Sequence, residues 1–308
     1  MAIQYTKLFK LLEERDILRT ELQKGIGISS ATMAKLTKNE PVSLKVIEDI
    51  CKFLHCQPGD IMAMEQRSER PLLKLLREEK EMKLKGGLYH QTQIKLAYNS
   101  NRIEGSILSE EQTRYIYETN TIAMPKEEAT PVDDIIETIN HFQCFDYMID
   151  VADQGLTEDM IKAFHRLIKS NTSDSRKEWF KVGDYKAKPN MVGDNRTVSP
   201  AKVKGEMAKL LADYASLETV QFEDIVAFHH QFESIHPFQD GNGRVGRIIL
   251  FKECLRWGIV PFVIDERHKL FYYRGLKQFE TAKGYLMDTC YSSQDEYKKL
   301  VDYFMEAE

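Results

Sequence analysis

The chain has 308 residues, 42% hydrophobic and 30% charged, with a net charge of −5, enough for one large core plus a smaller domain. No apolar run approaches membrane-spanning length, and the opening MAIQYTKLFK lacks the features of a secretory signal, so a cytoplasmic address and no membrane partner are expected. The negative balance argues against a protein that coats nucleic acid, and the five scattered cysteines, Cys51, Cys56, Cys144, Cys254 and Cys290, read as reduced thiols rather than a metal knuckle.

Residues 1–65 read as a compact helical domain. YTKLFKLLEERDI places Leu8, Leu11 and Leu12 at helical spacing, RTELQKGIGIS is a short helix ended near Gly25 and Gly27, and SSATMAKLTKNE restarts with serine at the N-cap. Pro41 interrupts, and VSLKVIEDICKFLHCQPGDIM supplies two more helical pieces. Helix, glycine turn, capped helix is the helix-turn-helix order. Taken whole, residues 5–63 resemble the Cro/phage-repressor-type DNA-binding domain. The resemblance implies that the helix of Ser29 to Lys38 enters the major groove, with Ser30, Thr32, Lys35 and Lys38 facing DNA. Residues 1–66 hold nine basic and nine acidic side chains, so a docking or dimerisation module, and with it a homodimer, stands as the alternative.

Residues 66–87 are expected to be a linker and connecting helix: the polar EQRSERP, then LLKLLREEKEMK, ended at Gly86 and Gly87. From 88 to 308 the apolar patterns have helical period over residues 88–104, 108–119, 132–150, 157–170, 200–216, 222–235, 243–257 and most of 266–306. The exception is GDYKAKPNMVGDNRTVSP, whose glycines and prolines break any helix. There Met191-Val192 and Thr197-Val198 are expected to flank a turn at Gly193-Asp194-Asn195 as a small β-hairpin. The fold class is mainly α.

The stretch HPFQDGNGRVGR, residues 236–247, carries the chemistry. FEDIVAFHHQFESIH puts Phe222, Ile225, Val226, His229 and Phe232 on one stripe, so a buried helix delivers His236 at its end, and Pro237 stops it. RVGRIILFKECLRW then begins a second buried helix. GNG therefore sits at a helix N-terminus, where free N–H groups and the macrodipole favour an anion. Arg244 and Arg247 project from one side of its first turn, which suits a polyphosphate. Asp240, just before this nest, is badly placed unless a cation compensates it, and Mg²⁺ held by one carboxylate plus phosphate oxygens would do so. His236 is suited to remove a proton from a hydroxyl near neutral pH. These parts add up to phosphoryl or nucleotidyl transfer.

The string resembles the Fic family signature, His-x-Phe-x-Asp/Glu-Gly-Asn-Gly-Arg-x-x-Arg, at every defined position, and the resemblance extends over residues 88–308. It implies a helical Fic core with a hairpin flap and protein adenylyltransfer (AMPylation): His236 deprotonates a Ser, Thr or Tyr hydroxyl of a target protein, or of the protein itself, which attacks the α-phosphate of ATP. By the same resemblance Asp240 holds Mg²⁺. Gly241, Asn242, Gly243 and Arg244, with Val245 and Gly246 alongside, line the nucleotide, Arg247 secures the γ-phosphate, and Phe238 anchors the loop. Val192, Gly193, Asp194 and Asn195 form the flap tip over the nucleotide, and Tyr272 and Tyr273 look like the family's base-side tyrosines. Glu280 replaces the asparagine some members carry seven residues after that pair.

SNRIEG, residues 100–105, looks like the family's inhibitory motif Ser/Thr-x-x-x-Glu-Gly/Asn. Ser100 and Glu104 lie one helical turn apart and Gly105 suits a left-handed cap, so Glu104 is an acid at the negative end of a helix that needs a cation. Arg247 is the candidate, and its capture would leave the enzyme autoinhibited. The resemblance also allows a reverse reaction in which Glu104 positions water to remove AMP. The rival readings are a DNA-binding transcriptional regulator whose Fic-like half senses nucleotide, and a Fic enzyme transferring a different phosphate-containing group. A metal hydrolase built on His229, Glu233 and His236 is weaker, because His229 sits on the apolar stripe and reads as a core histidine, with His230 on the opposite, wetter face.

Overall fold

The computed structural model describes residues 3–64, 70–123, 129–193 and 195–305. The chain divides into two compact units, Met1–Glu69 and Arg70–Glu308. No helix among the described residues is long and apolar enough to cross a membrane.

The first unit contains helices α1 (Thr6–Glu14), α2 (Arg19–Ile26), α3 (Ser30–Thr37), α4 (Leu44–Leu54) and α5 (Pro58–Ile61). Strands β1 (Ile3–Gln4) and β2 (Ala63–Met64) pair antiparallel, joining its beginning to its end. Gly27 ends α2 in the left-handed region (φ 71°), and two residues on the Ser29 hydroxyl accepts the Thr32 amide, starting α3. Each helix turns an apolar stripe inward: Leu8 and Leu12, Leu22, Met33 and Leu36, Ile47, Ile50 and Leu54 form the core.

The second unit is built from α6 (Pro71–Met82), α7 (Leu88–Ile103), α8 (Glu110–Thr119), α9 (Val132–Asp150), α10 (Glu158–Lys169), α11 (Pro200–Ala215), α12 (Phe222–Ile235), α13 (Asn242–Trp257), α14 (Lys269–Gln278) and α15 (Gly284–Met305). Helix α6 belongs to this unit, since Leu73 and Leu76 join its core. Helix α13 packs against α7, α9, α10 and α12, and its Val245, Ile248, Ile249 and Phe251 are buried. A helix surrounded by helices buries residues all round, charged ones included: Arg244, Arg247, Lys252 and Glu253 are buried beside the apolar side chains, which is why RVGRIILFKECLRW shows no clean polar face.

The hairpin differs from expectation. β3 (Met191–Val192) pairs antiparallel with β4 (Asn195–Arg196), Met191 opposite Arg196 and Val192 opposite Asn195. The connection is therefore the two-residue Gly193-Asp194, not Gly193-Asp194-Asn195, and Thr197-Val198 is not the paired strand. Gly193, at φ 55°, supplies the left-handed start that a tight two-residue turn requires. Thr197 instead faces Asn190 at the stem, its hydroxyl donating to the Asn190 carbonyl at 3.0 Å.

Candidate active site

Helix α12 ends on His236, which adopts the left-handed conformation (φ 52°, ψ 62°) as its C-cap before Pro237 forbids another turn. The chain then crosses a short loop and re-enters helix at Asn242, with Gly241 as a left-handed N-cap (φ 79°). Within the loop, Asn242 closes a reciprocal pair on Phe238: the Phe238 amide donates to Asn242 Oδ1 at 2.8 Å and Asn242 Nδ2 donates to the Phe238 carbonyl at 3.0 Å. The Asn242 side chain thus braces the loop, and the amides at the head of α13 remain for a ligand. Phe238 is fully buried and stacks on His165 with ring centroids 4.0 Å apart.

His165, from α10, escaped the sequence reading. Its Nδ1 accepts the Gly183 amide at 2.9 Å, which leaves the proton on Nε2, 3.2 Å from the Asp240 carbonyl. Burial pushes this imidazole down to about 3, so it works as a neutral brace under the loop.

Asp240 is compensated within the protein itself, by two side-chain cations. Asp240 Oδ2 lies 2.6 Å from Lys169 Nζ and 3.3 Å from Arg244 Nη2. Lys169, almost fully buried at the end of α10, also reaches Glu137 (2.7 Å) and Asp174 (3.1 Å), and Arg244 pairs with Glu137. Burial would raise the Asp240 carboxyl, but Arg244 and Lys169 overcome it and hold the group far below the usual carboxylate range. The compensating cations are Arg244, four residues on, and Lys169 of α10, which the local sequence could not reveal.

Arg244 and Arg247 both turn inward, to different partners. Arg247 is buried and faces α7: Nε donates to Ser100 Oγ (3.0 Å), and Nη2 donates to the Ser100 carbonyl (2.8 Å) and to Glu104 Oε1 (2.7 Å). Gly105, at φ 106°, ends the segment. Burial would raise the Glu104 carboxyl, yet Arg247 and Arg244 keep it below its ordinary value. A methyl group on Gly243 would collide with Glu104 Oε1 and come 2.9 Å from Arg247 Nη1. The Glu104 carboxylate therefore rests directly on the first turn of α13, where an anion is most favoured.

Burial, and then the nearby Lys186 charge, push His236 down to about 4, so the imidazole is neutral near pH 7. Behind it, Val245 is buried in the core, and Gly246 leaves room for Glu233 Oε1 and His229, both of which a methyl there would meet. His229 Nε2 and the buried Tyr272 hydroxyl are 2.6 Å apart. Tyr273 donates to the Ile103 carbonyl at 3.2 Å, beside Glu104. Glu280 is exposed, 3.7 Å from His230. His230 does not lie on a wetter face: it is buried and stacks on Phe279 at 4.3 Å, because α14 and its following turn cover that side of α12.

Met191 and Val192 of the hairpin are exposed and Gly193 forms the turn. Asn195 lies in β4, and Asp194 lies outside the described residues. In the first unit, Ser30, Lys35 and Lys38 are exposed and Thr32 half-buried on α3 or its cap, opposite the inward Met33 and Leu36.

Residues 155–253 match the Fic/DOC family model, and residues 7–67 match that of the Cro/C1-type HTH DNA-binding domain. Protein adenylyltransferase Fic of Nematostella vectensis is 25% identical over 186 residues, 59% of this chain and 42% of that protein. The chain spans about two fifths of the length of the curated relatives it matches. In fold it is similar to a Fic-domain-containing signaling protein from Bacteroides thetaiotaomicron (TM-score 0.57, 24% identity, 75% of this chain and 90% of that one). It is also similar to Fic-1 of Caenorhabditis elegans (TM-score 0.57, 20% identity, 95% and 84%). With its helical core and the loop at the head of α13, the second unit thus carries a segment, residues 155–253, that matches the Fic/DOC family model, and the first unit one, residues 7–67, that matches the Cro/C1-type helix-turn-helix model.

Proposed function

We propose that this protein transfers AMP from ATP to a Ser, Thr or Tyr hydroxyl of a target protein, and that Glu104 holds it inactive. One observation carries the reading: the Glu104 carboxylate rests on Gly243 and binds Arg247, occupying both the helix N-terminus and the guanidinium that would receive the nucleotide's terminal phosphate. With Glu104 withdrawn, the amides of Gly241 to Arg244 and the Arg247 side chain form a polyphosphate cradle. The neutral His236 takes the proton of the target hydroxyl, whose oxygen bonds to the α-phosphorus as the bond to pyrophosphate breaks.

Asp240 fits a Mg²⁺ ligand. Its side chain is 48% exposed and both of its side-chain cations approach Oδ2, so the carboxylate stays open to solution on one side. A single carboxylate with phosphate oxygens and water is the usual Mg²⁺ donor set at a nucleotide, and when bound the ion supplies charge neutralisation on the phosphates. The outward Ser30, Lys35 and Lys38 of α3 support DNA contact by the first unit, alongside the transferase rather than in place of it.

Intact-mass spectrometry of wild type, Glu104→Gly and Glu104→Gly/His236→Ala, incubated with ATP, Mg²⁺ and a lysate, tests the reading. Glu104→Gly alone should attach AMP to itself or to a lysate protein. Nucleotide binding by all three with no adduct on any protein would move the assignment to a nucleotide-sensing regulator.

A further inference from the structure

Three lysines are buried among the described residues of the second unit, and they are not alike. Lys169 and Lys252 each lie 2.6 Å from a carboxylate oxygen. Lys186 has no carboxylate within ion-pairing distance among the described residues. Its ammonium donates only to neutral oxygens: Thr197 Oγ1 at 2.6 Å, Asn190 Oδ1 at 2.8 Å and the Ile235 carbonyl at 3.4 Å. An unpaired buried charge is costly and calls for a functional explanation.

Its surroundings supply one. Asn190 and Thr197 are the stem of the hairpin, flanking β3 and β4, and Ile235 is the last residue of α12, whose carbonyl end carries the negative pole of the helix. The Lys186 amide donates to the Pro237 carbonyl at 2.9 Å, and Asn190 Nδ2 continues to the Phe238 and Gln239 carbonyls at 3.1 and 3.3 Å. One side chain therefore joins three elements around His236, the cap of α12. Of the polar groups facing that ring, Lys186 from the hairpin stem opposes its protonation. The Glu233 carbonyl of α12, Glu104 at the end of α7 and Asp240 of the loop favour it.

We propose that Lys186 is a positioning residue: its ammonium ties the hairpin stem to the end of α12 and so fixes the helix cap that carries His236. The contacts stand independently of the reaction, while the role as an aid to the base rests on the transferase reading. Burial pushes Lys186 itself down to about 8, still charged wherever His236 titrates.

The test uses the full chain with Lys186→Met and Lys186→Arg, following the His236 imidazole by NMR titration and hydrogen exchange at residues 190–198. In Lys186→Met the His236 midpoint should rise towards its ordinary value, and stem amides should exchange at least about tenfold faster. Lys186→Arg, which keeps the charge, should leave the His236 midpoint depressed. A folded Lys186→Met with both readouts unchanged overturns the proposal. Should that variant not fold, Lys186→Gln keeps a donor without charge, and an unmoved His236 midpoint there overturns it equally. Neither readout requires turnover, so a failed transfer assay would not be mistaken for failure of this inference.

Discussion

Lys169 sets three carboxylates around one ammonium, Glu137, Asp174 and Asp240, with only 3% of its side chain exposed. Removing one member of a buried ionic group leaves the others uncompensated, which costs about 3–5 kcal/mol. Lys169→Met should lower the urea-unfolding free energy by that amount. Lys177→Ala, which breaks an exposed pair with Asp174, should cost under about 1 kcal/mol. Equal effects would mean that the buried group is not a unit. His236, Asp240, Arg244 and Arg247 were legible in the sequence because the two helices and the turn between them place them contiguously. Lys169 and His165 were not: Lys169 meets Asp240 across 71 positions, and no local spacing announces such a contact.

Helix positions were readable because the second unit buries one stripe of almost every helix, so a period of 3.6 marks each element and Gly, Pro or Ser marks its ends. The hairpin register was less so, since β-branched residues suggested the partner strand while the tight turn shortened the loop. Close approach between helices is equally invisible in a period. At Gly275 of α14, an added methyl would stand 2.7 Å from Leu286 Cα and 2.8 Å from its amide nitrogen in α15. Backbone cannot swing aside as a side chain can, so Gly275→Ala should destabilise by about 1–3 kcal/mol in chemical denaturation. At Gly284, where α15 begins and nothing lies within 4 Å, alanine should be neutral or stabilise by up to about 1 kcal/mol. Matching losses at both sites would refute the packing account.

Across the whole molecule, burial couples stability to pH. It pushes His141, His165 and His229 down to about 3 and His236 to about 4, while raising Glu233, whose Oε1 is turned inward, to about 8. The unfolded chain binds the four histidine protons near pH 6.5, whereas the folded chain accepts them only near 3 to 4. Their contribution is therefore present above about pH 6.5 and is lost as pH falls towards 4. Glu233 has the opposite sign: its contribution is full below its unfolded value near 4.3 and is lost as pH rises through 8. Around pH 5 the net difference approaches three protons, a slope of about 4 kcal/mol per pH unit, with greatest stability near neutrality. Urea unfolding at pH 7.5, 6.5 and 5.5 measures it, and a flat profile between 7 and 5 would contradict the assigned burial. The first unit is continuous in sequence and closes on itself. Because β1 and β2 pair its opening residues with its closing ones around a core of its own, the unit is a closed module. Its two ends lie side by side, so residues 3–64 carry their whole core within one cassette that a gene can move as a piece.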